Sequence, residues 1–270
     1  MLNKDTQLCI SVASRPSNFG TTVHNAAYEA LGLNYAYKSF GISDIAGAMA
    51  GVRALSIRGC SVSMPFKETV ISHLDGLDET AEVIGAVNTI VNDAGRLTGY
   101  NTDAIGARVA LESVQASPGE SVLLVGAGGV ARAILFALRQ LGFKKVLVTN
   151  RDPEKVLRLN DILTCQQIAW SERDKEPVSL LINATSIGMI PNPGSMPLAK
   201  AMVNQSRAVI DVVISPMETL LISTARSAGK AVAPGYLMSL EQAMAQFTLY
   251  TGLEPPRELM EQKVRWLLEG

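Results

Sequence analysis

Residues 122–140 read VLLVGAGGVARAILFALRQ: four apolar residues run directly into a glycine turn and then into a helical stretch. A strand, a glycine turn and a helix N-terminus together make a place where backbone can meet a pyrophosphate. Gly126 permits the tight turn, Gly128 lets the chain approach phosphates with no side chain in the way, and small Ala131 lets helix and strand pack closely. The helix that opens at Gly129 and Val130 supplies free amides and a positive dipole end. Flavin and methyl-donor proteins use similar turns, so the motif alone leaves the dinucleotide open. The next strand ends TNRDPEK, at the distance where such folds recognise the adenine ribose. Arg151 can pair with a ribose phosphate and Asn150 can hydrogen bond to it, which points to NADP. Asp152 pulls the other way: it could take a ribose hydroxyl, as NAD requires, or it could simply cap the helix begun by Pro153.

The chain ahead of this motif must fold as something else. LCISV (8–12) reads as a buried strand, followed by a polar loop and a helix from Thr22 to Leu31 closed by Gly32. NYAYKSF alternates like a strand, Ser43 can cap a helix over IAGAMAGVRAL, and SIRGCSV returns as a strand. Such alternation predicts a mostly parallel sheet wrapped by helices. A short helix after SMPFK precedes a hairpin turning at NDAG and ending at Asn101. A helix over Asp103–Ser113 leads through QASPGE into the glycine motif. Strands at KVLVTN, near CQQIAW, at VSLLINA and at RAVIDVV then complete a doubly wound nucleotide-binding domain. Beyond Pro234-Gly235, SLEQAMAQFTLYTG and PRELMEQKVRWLLEG carry helical apolar stripes that are expected to fold back on the first domain. The fold class is therefore α/β, with an N-terminal α/β substrate domain over 1–102 and 237–270 and a Rossmann-like domain over 103–236.

With 270 residues, 47% hydrophobic, 18% charged and a net charge of -1, the chain offers no basic field for nucleic acid or an anionic membrane. Cys9, Cys60 and Cys165 are odd in number and lack a CxxC pair, so neither a zinc site nor a disulfide framework is expected. The start of the chain shows no long apolar h-region, and no stretch approaches 18 uninterrupted apolar residues, so a cytoplasmic protein is expected.

Lys67 follows Pro65 at the expected start of a helix, where the macrodipole disfavours a cation by roughly 0.3–1 kcal/mol. That placement suits an amine that exchanges protons, although a solvated lysine beside Glu68 would look the same. Asp103 reads as an N-cap that could also pair with a cation. Asn88, Asn101 and Gln242 could grip hydroxyl groups, and His24 and His73 read as a helix residue and a surface residue.

Taken together and in order, SVSMPFK, AVNTI, GYNTD, VGAGGVAR, NRD, NATSIGM, DVVISPMETLL and GYLMSLEQAMAQFTLYTG resemble the shikimate dehydrogenase family from about residue 8 to about 252. The resemblance implies a reversible hydride transfer between a secondary alcohol of a cyclic polyol acid and NADP, as in aromatic amino acid biosynthesis. It also implies that Lys67 takes the hydroxyl proton while Asp103 orients the amine. Ser63, Asn88, Asn101 and Gln242 match substrate contacts. Gly126, Ala127, Gly128, Gly129, Val130, Asn150, Arg151, Thr185, Met189 and Gly235 match cofactor contacts. No metal is implied, and a monomer or homodimer would serve.

The pattern breaks at the substrate's carboxylate. The family form SxSPxxHN is NFGTTVHN here, which puts Asn18 and Gly20 at two hydroxyl positions, with Ser17 and Thr21 adjacent but not equivalent. A tyrosine expected in DVVISP is Ile214. Losing two hydrogen bonds to a charged group weakens recognition by roughly 3–6 kcal/mol, a factor of roughly a hundred to ten thousand, of which the Asn18 amide could restore part. The chain thus resembles the shikimate dehydrogenase-like subgroup, and weak turnover of shikimate itself is expected. Two alternatives stand beside this: a quinate or aminoshikimate-type dehydrogenase using NAD, and a nucleotide-sensing regulator without turnover.

Overall fold

A computed structural model describes residues 2–269. It divides into two compact units, one from the chain up to Thr102 together with the segment from Leu240 onward, the other from Asp103 to Ser239.

The first unit opens with β1 (Gln7–Ala13), α1 (Phe19–Ala30), β2 (Tyr35–Gly41), α2 (Ile45–Ala54) and β3 (Gly59–Val62). Cys9, Ile10 and Val12 on successive positions of β1 are all buried, as a strand covered on both faces requires. It lies between β2 and β3 and is parallel to both. Helix α1 begins three residues before Thr22, because Phe19 is buried and draws the preceding turn into the helix. It ends at Gly32, whose φ of +62° few other residues adopt. The cap of α2 is Asp44 rather than Ser43: extended Asp44 accepts from the Gly47 amide at 3.0 Å. After SMPFK the chain makes only one 3-10 turn, Thr69–His73, so Lys67 lies in a turn two residues ahead of it. So short an element supports no macrodipole argument for Lys67.

Next come β4 (Gly76–Leu77), α3 (Glu79–Ile84), β5 (Thr89–Asp93) and β6 (Arg96–Tyr100), giving the strand order β2-β1-β3-β5-β6-β4. β5 and β6 form the NDAG hairpin, with positive φ at both Ala94 and Gly95, the geometry of a type I′ turn.

The second unit starts with α4 (Asp103–Ser113), of which Asp103 is the first helical residue rather than the cap. It continues through β7 (Ser121–Val125), α5 (Gly129–Gln140), β8 (Lys145–Thr149), α6 (Pro153–Leu157), β9 (Gln166–Gln167), β10 (Leu180–Asn183), α7 (Lys200–Gln205), β11 (Ala208–Asp211), α8 (Leu220–Ser227) and β12 (Ala231–Ala233). All its strands are parallel, in the order β12-β11-β10-β7-β8-β9. This is the doubly wound arrangement, whose ligand crevice lies beyond the carboxyl ends of the strands, where β7 and β10 adjoin. Helix α5 buries Ile134, Leu135, Phe136 and Leu138, each contributing about 1.5–3 kcal/mol by leaving water.

Helix α9 (Gly235–Thr251) begins in the second unit and ends in the first, and α10 (Arg257–Glu269) packs against α1. The end of α9 is tied into the first unit. Arg58 Nε donates to the Tyr250 carbonyl at 2.9 Å, and Gly59 has no room for a Cβ because the Tyr250 ring covers it.

Candidate active site

The second unit presents a surface made mainly of backbone. Gly126 has φ +120°, and a Cβ there would press on the Ala184 carbonyl, so only glycine serves. Its amide donates to the Thr149 carbonyl at 2.8 Å, which fixes the turn. Gly128 is different: its φ of -92° suits any residue, yet a Cβ there would meet nothing within 4 Å. Its value is the open space in front of it. Gly128 caps α5 without a side chain, so the first-turn amides from Gly129 and Val130 onward face that space beside half-buried Ala127. Ala131 is fully buried beneath them. An unobstructed row of amides at a helix N-terminus fits the pyrophosphate of a dinucleotide.

At the end of β8, Asn150 Nδ2 donates to the Asp152 carbonyl at 3.0 Å. Asp152 Oδ1 accepts from the Glu154 amide at 3.1 Å and caps α6, with Pro153 following. The carboxylate is therefore engaged in the helix cap. Arg151 is exposed, its guanidinium carbon 5.4 Å from the centre of the Trp170 ring.

Beyond β10, buried Asn183 organises the NATSIGM loop. Its Oδ1 accepts from the Thr185 amide at 3.1 Å and the Thr185 hydroxyl at 2.6 Å, and its Nδ2 donates to Asp211 at 2.9 Å. Asp211 also accepts from the Thr219 hydroxyl at 2.6 Å and the Val213 amide at 3.0 Å. Burial pushes the Asp211 carboxyl upward, against the opposing pull of these donors. Thr185 is thus committed to shaping the loop, while Met189 at its tip is 38% exposed. Gly235, at the start of α9, has no room for a Cβ against the Val213 carbonyl.

The first unit presents side chains. Asn88, 2% exposed, receives the Thr102 amide at 2.8 Å and the Thr89 hydroxyl at 2.7 Å on Oδ1, and its Nδ2 donates to the Thr102 hydroxyl at 3.0 Å. It therefore pins the residue just before Asp103. Asn101 is buried and donates to the Ala86 carbonyl at 2.8 Å. Half-buried Lys67 has its carbonyl held by the Val87 amide at 2.7 Å, and Ser63 is exposed on the turn ahead of it. Gln242 lies half-buried in the part of α9 that belongs to this unit. Asp103, 7% exposed, heads α4 in the other unit.

Asn18 is exposed and forms no side-chain capping bond to α1. A side chain at Gly20 would press on the Tyr37 ring, 2.8 Å from the nearest carbon. The neighbouring hydroxyls are engaged locally: Ser17 accepts from the Phe19 amide at 3.3 Å, and Thr21 shares a hydrogen bond with Ser39 at 2.9 Å. Ile214 is half-buried in the second unit.

Three participants carry no local sequence signal. Gln246 Nε2 reaches Ser61 at 3.2 Å, the Asn88 carbonyl at 3.3 Å and Thr89 at 2.9 Å. His24 is fully buried and stacks on Tyr37 at 4.5 Å. Neither ring nitrogen of His24 has a hydrogen-bond partner among the described residues, and burial holds its pKa down at about 4, partly offset by the nearby Gln246 amide. Trp170 meets Arg151 from a segment that reads in sequence only as a short strand.

Burial pushes the thiols of Cys9 and Cys60 up, Cys9 to about 11. Among the described residues no group of three His, Cys, Asp or Glu side chains could hold a metal ion, and no helix is long and apolar enough to cross a membrane.

Comparison with known proteins aligns both units with proteins of one kind. Residues 19–90 match the shikimate dehydrogenase substrate binding domain, 108–185 the shikimate / quinate 5-dehydrogenase family, and 235–265 the shikimate 5'-dehydrogenase C-terminal domain. The chain is 42% identical over 264 residues to a shikimate dehydrogenase-like protein of Haemophilus influenzae, covering 97% of each chain. It is 39% identical over 256 residues to the shikimate dehydrogenase (NADP(+)) of Moorella thermoacetica, covering 90% of this chain and 87% of that one. The structure of shikimate 5-dehydrogenase from Thermus thermophilus, in complex with NADP(H) and shikimate, superposes with a TM-score of 0.86 at 33% identity, covering 96% of this chain and 99% of that one.

Proposed function

This chain belongs to the shikimate dehydrogenase family, and on that premise we propose that it is an NADP-dependent oxidoreductase acting on a secondary alcohol of a cyclic polyol acid, shikimate or a relative. The observation that carries the reading is the end of β8. There Arg151 is exposed while the Asp152 carboxylate caps α6. A guanidinium suits a ribose 2′-phosphate, and a carboxylate engaged in a cap is poorly placed to select the 2′-hydroxyl of NAD. The open amides at Gly128 hold the pyrophosphate. The NATSIGM loop, shaped by Asn183, would border the nicotinamide.

When bound, the nicotinamide supplies the carbon that accepts or returns a hydride. The chain's own residues handle the proton and the substrate. Lys67 takes the proton from the substrate hydroxyl on oxidation and returns it to the carbonyl oxygen on reduction, and Asp103 orients the amine. Ser63, Asn88, Asn101 and Gln242 hold the ring hydroxyls. Asn88 is preorganised for this by bonds to Thr89 and Thr102, so a ligand need not order it.

The acid end of the substrate is held weakly. Asn18 and Gly20 replace two hydroxyl donors, and the nearest other hydroxyls, Ser17 and Thr21, are engaged with Phe19 and Ser39. Oxidation of shikimate, quinate and related ring alcohols with NADP and NAD, followed by reduced-nicotinamide absorbance beside the Moorella relative, tests this. The expected kcat/KM for shikimate is about 100- to 10,000-fold below that relative's, with NADP preferred. Equal efficiency on shikimate would remove the altered-clamp reading, and no turnover of any ring alcohol would remove the enzyme reading.

A further inference from the structure

We propose that Trp170 is a positioning residue for cofactor selection: its indole holds the Arg151 guanidinium where it meets the 2′-phosphate of NADP. The inference rests on the reading of Arg151 given above and adds a residue that acts on the cofactor only through that arginine. Arg151 leaves β8 as an exposed side chain and makes no ion pair or side-chain hydrogen bond among the described residues. Among the described residues its aromatic contact is Trp170, with 5.4 Å between the guanidinium carbon and the ring centre. A planar guanidinium over an aromatic face is attracted by the ring quadrupole and keeps its edge donors for an anion. Stacking therefore restricts the long side chain without consuming the groups that recognise phosphate.

The ring can serve as a fixed platform because it is itself held. Trp170 begins a short 3-10 turn, Trp170–Glu172, and is half-buried against the core that contains Leu123, Val125 and Leu181. A second guanidinium, Arg173, lies 4.2 Å from the same ring centre. Arg173 is tied by Nε to the Pro197 carbonyl at 2.8 Å and by Nη1 to the Trp170 carbonyl at 2.6 Å, and it pairs with Asp174 at 3.8 Å, so its charge is met within the protein. The indole thus gathers two cations, one bound to carbonyls and one exposed to solvent.

The test is calorimetric titration of the full chain with 2′,5′-ADP, which carries the adenosine 2′-phosphate, and with ADP, which lacks it. Trp170→Leu keeps an apolar side chain against the core and removes the aromatic face. It is expected to weaken 2′,5′-ADP about 2- to 5-fold, the equivalent of a cation–π attraction at an exposed site, and to leave ADP unchanged. KM for NADP should rise by the same factor, with kcat and KM for NAD unaltered. Arg151→Ala should weaken 2′,5′-ADP more, and adding Trp170→Leu to it should change nothing further. If Arg151→Ala fails to separate the two ligands, the reading of Arg151 falls; if it separates them and Trp170→Leu does not, the proposal alone falls. Equal weakening of both ligands by Trp170→Leu would also overturn it, as the mark of a purely structural role. A readout that keeps Trp170 intact is its fluorescence after Trp266→Phe, a change at the only other tryptophan, which is 67% exposed. Emission should respond to 2′,5′-ADP and not to ADP, and an identical response to both contradicts the proposal.

Discussion

At the carboxyl end of β7 the proposed recognition surface is backbone: Gly126 turns the chain, Gly128 leaves open space, and α5 begins without a capping side chain. In the first unit, around the ends of β3, β5 and β6, the proposed surface is side chain: Ser63, Lys67, Asn88 and Asn101, with Gln246 bonded to the Asn88 carbonyl. The first kind of surface is built within one short run of sequence, its turn fixed by the Gly126 amide on the Thr149 carbonyl. The second depends on hydrogen bonds drawn from distant parts of the chain. Buried asparagines appear in both, and each accepts a backbone amide from the loop that follows: Asn183 from Thr185, Asn88 from Thr102. In the second unit the asparagine only shapes the loop, whereas in the first it also belongs to the set proposed to touch substrate.

The largest effect should come from the side-chain surface. Lys67→Ala is expected to lower kcat about 100- to 10,000-fold while NADP binding, measured by calorimetry, stays unchanged. Unchanged kcat would break the contrast, since the first unit would then contribute only binding.

The same unit should make the fold acid-sensitive. His24 is held near pKa 4 in the folded chain, against about 6.5 when exposed. The unfolded chain thus binds the extra proton between these values. The stability tied to neutral His24 is fully present above about pH 6.5 and is lost as pH falls toward about 4, by roughly 3 kcal/mol. Urea unfolding across that range should show the slope, and His24→Phe, which keeps the stack on Tyr37, should flatten it.

Two glycine variants sharpen the backbone side. Gly126→Ala should cost roughly 1–3 kcal/mol of stability, from its positive φ and the Ala184 carbonyl. Gly128→Ala should leave the unfolding midpoint in place yet weaken NADP about tenfold, the equivalent of about 1.4 kcal/mol. Loss of stability in both would mean that the space before Gly128 is not a binding space. The smallest effect is expected for Asp152→Ala, about 1 kcal/mol from the lost cap, with the NADP-to-NAD preference unaltered. A shift in that preference would return Asp152 to the cofactor.

Where local physics dominates, the chain was legible. The β7–turn–α5 run, the NDAG hairpin and the Asp103–Ser113 helix all follow from apolar periodicity, positive-φ turn residues and short-range signals. Legibility failed where two local choices were nearly equal and packing selected one. Ser43 and Asp44 are both competent caps, and the extended backbone at Asp44 decided between them. Asn18 is of an N-capping type but makes no side-chain cap bond, and burial of Phe19 sets the helix start there rather than at Thr22. The segment after SMPFK has a helical composition but is too short to propagate beyond one 3-10 turn.

For the candidate site the division is similar. Sequence alone determined most of the order of elements, though not β4 or α3, along with the glycine turn and the candidate polar residues, because these depend on neighbours within a few positions. Only the tertiary structure decided which of those groups are spent internally: Thr185 on Asn183, Asp152 on its helix, and the Asn88 oxygen on Thr102 and Thr89. It also brought Gln246 to Ser61 across 185 positions, and Trp170 to Arg151. Hydrogen bonds and stacking act over a few ångströms of space, whatever the separation along the chain, so such partners emerge only once the chain has folded.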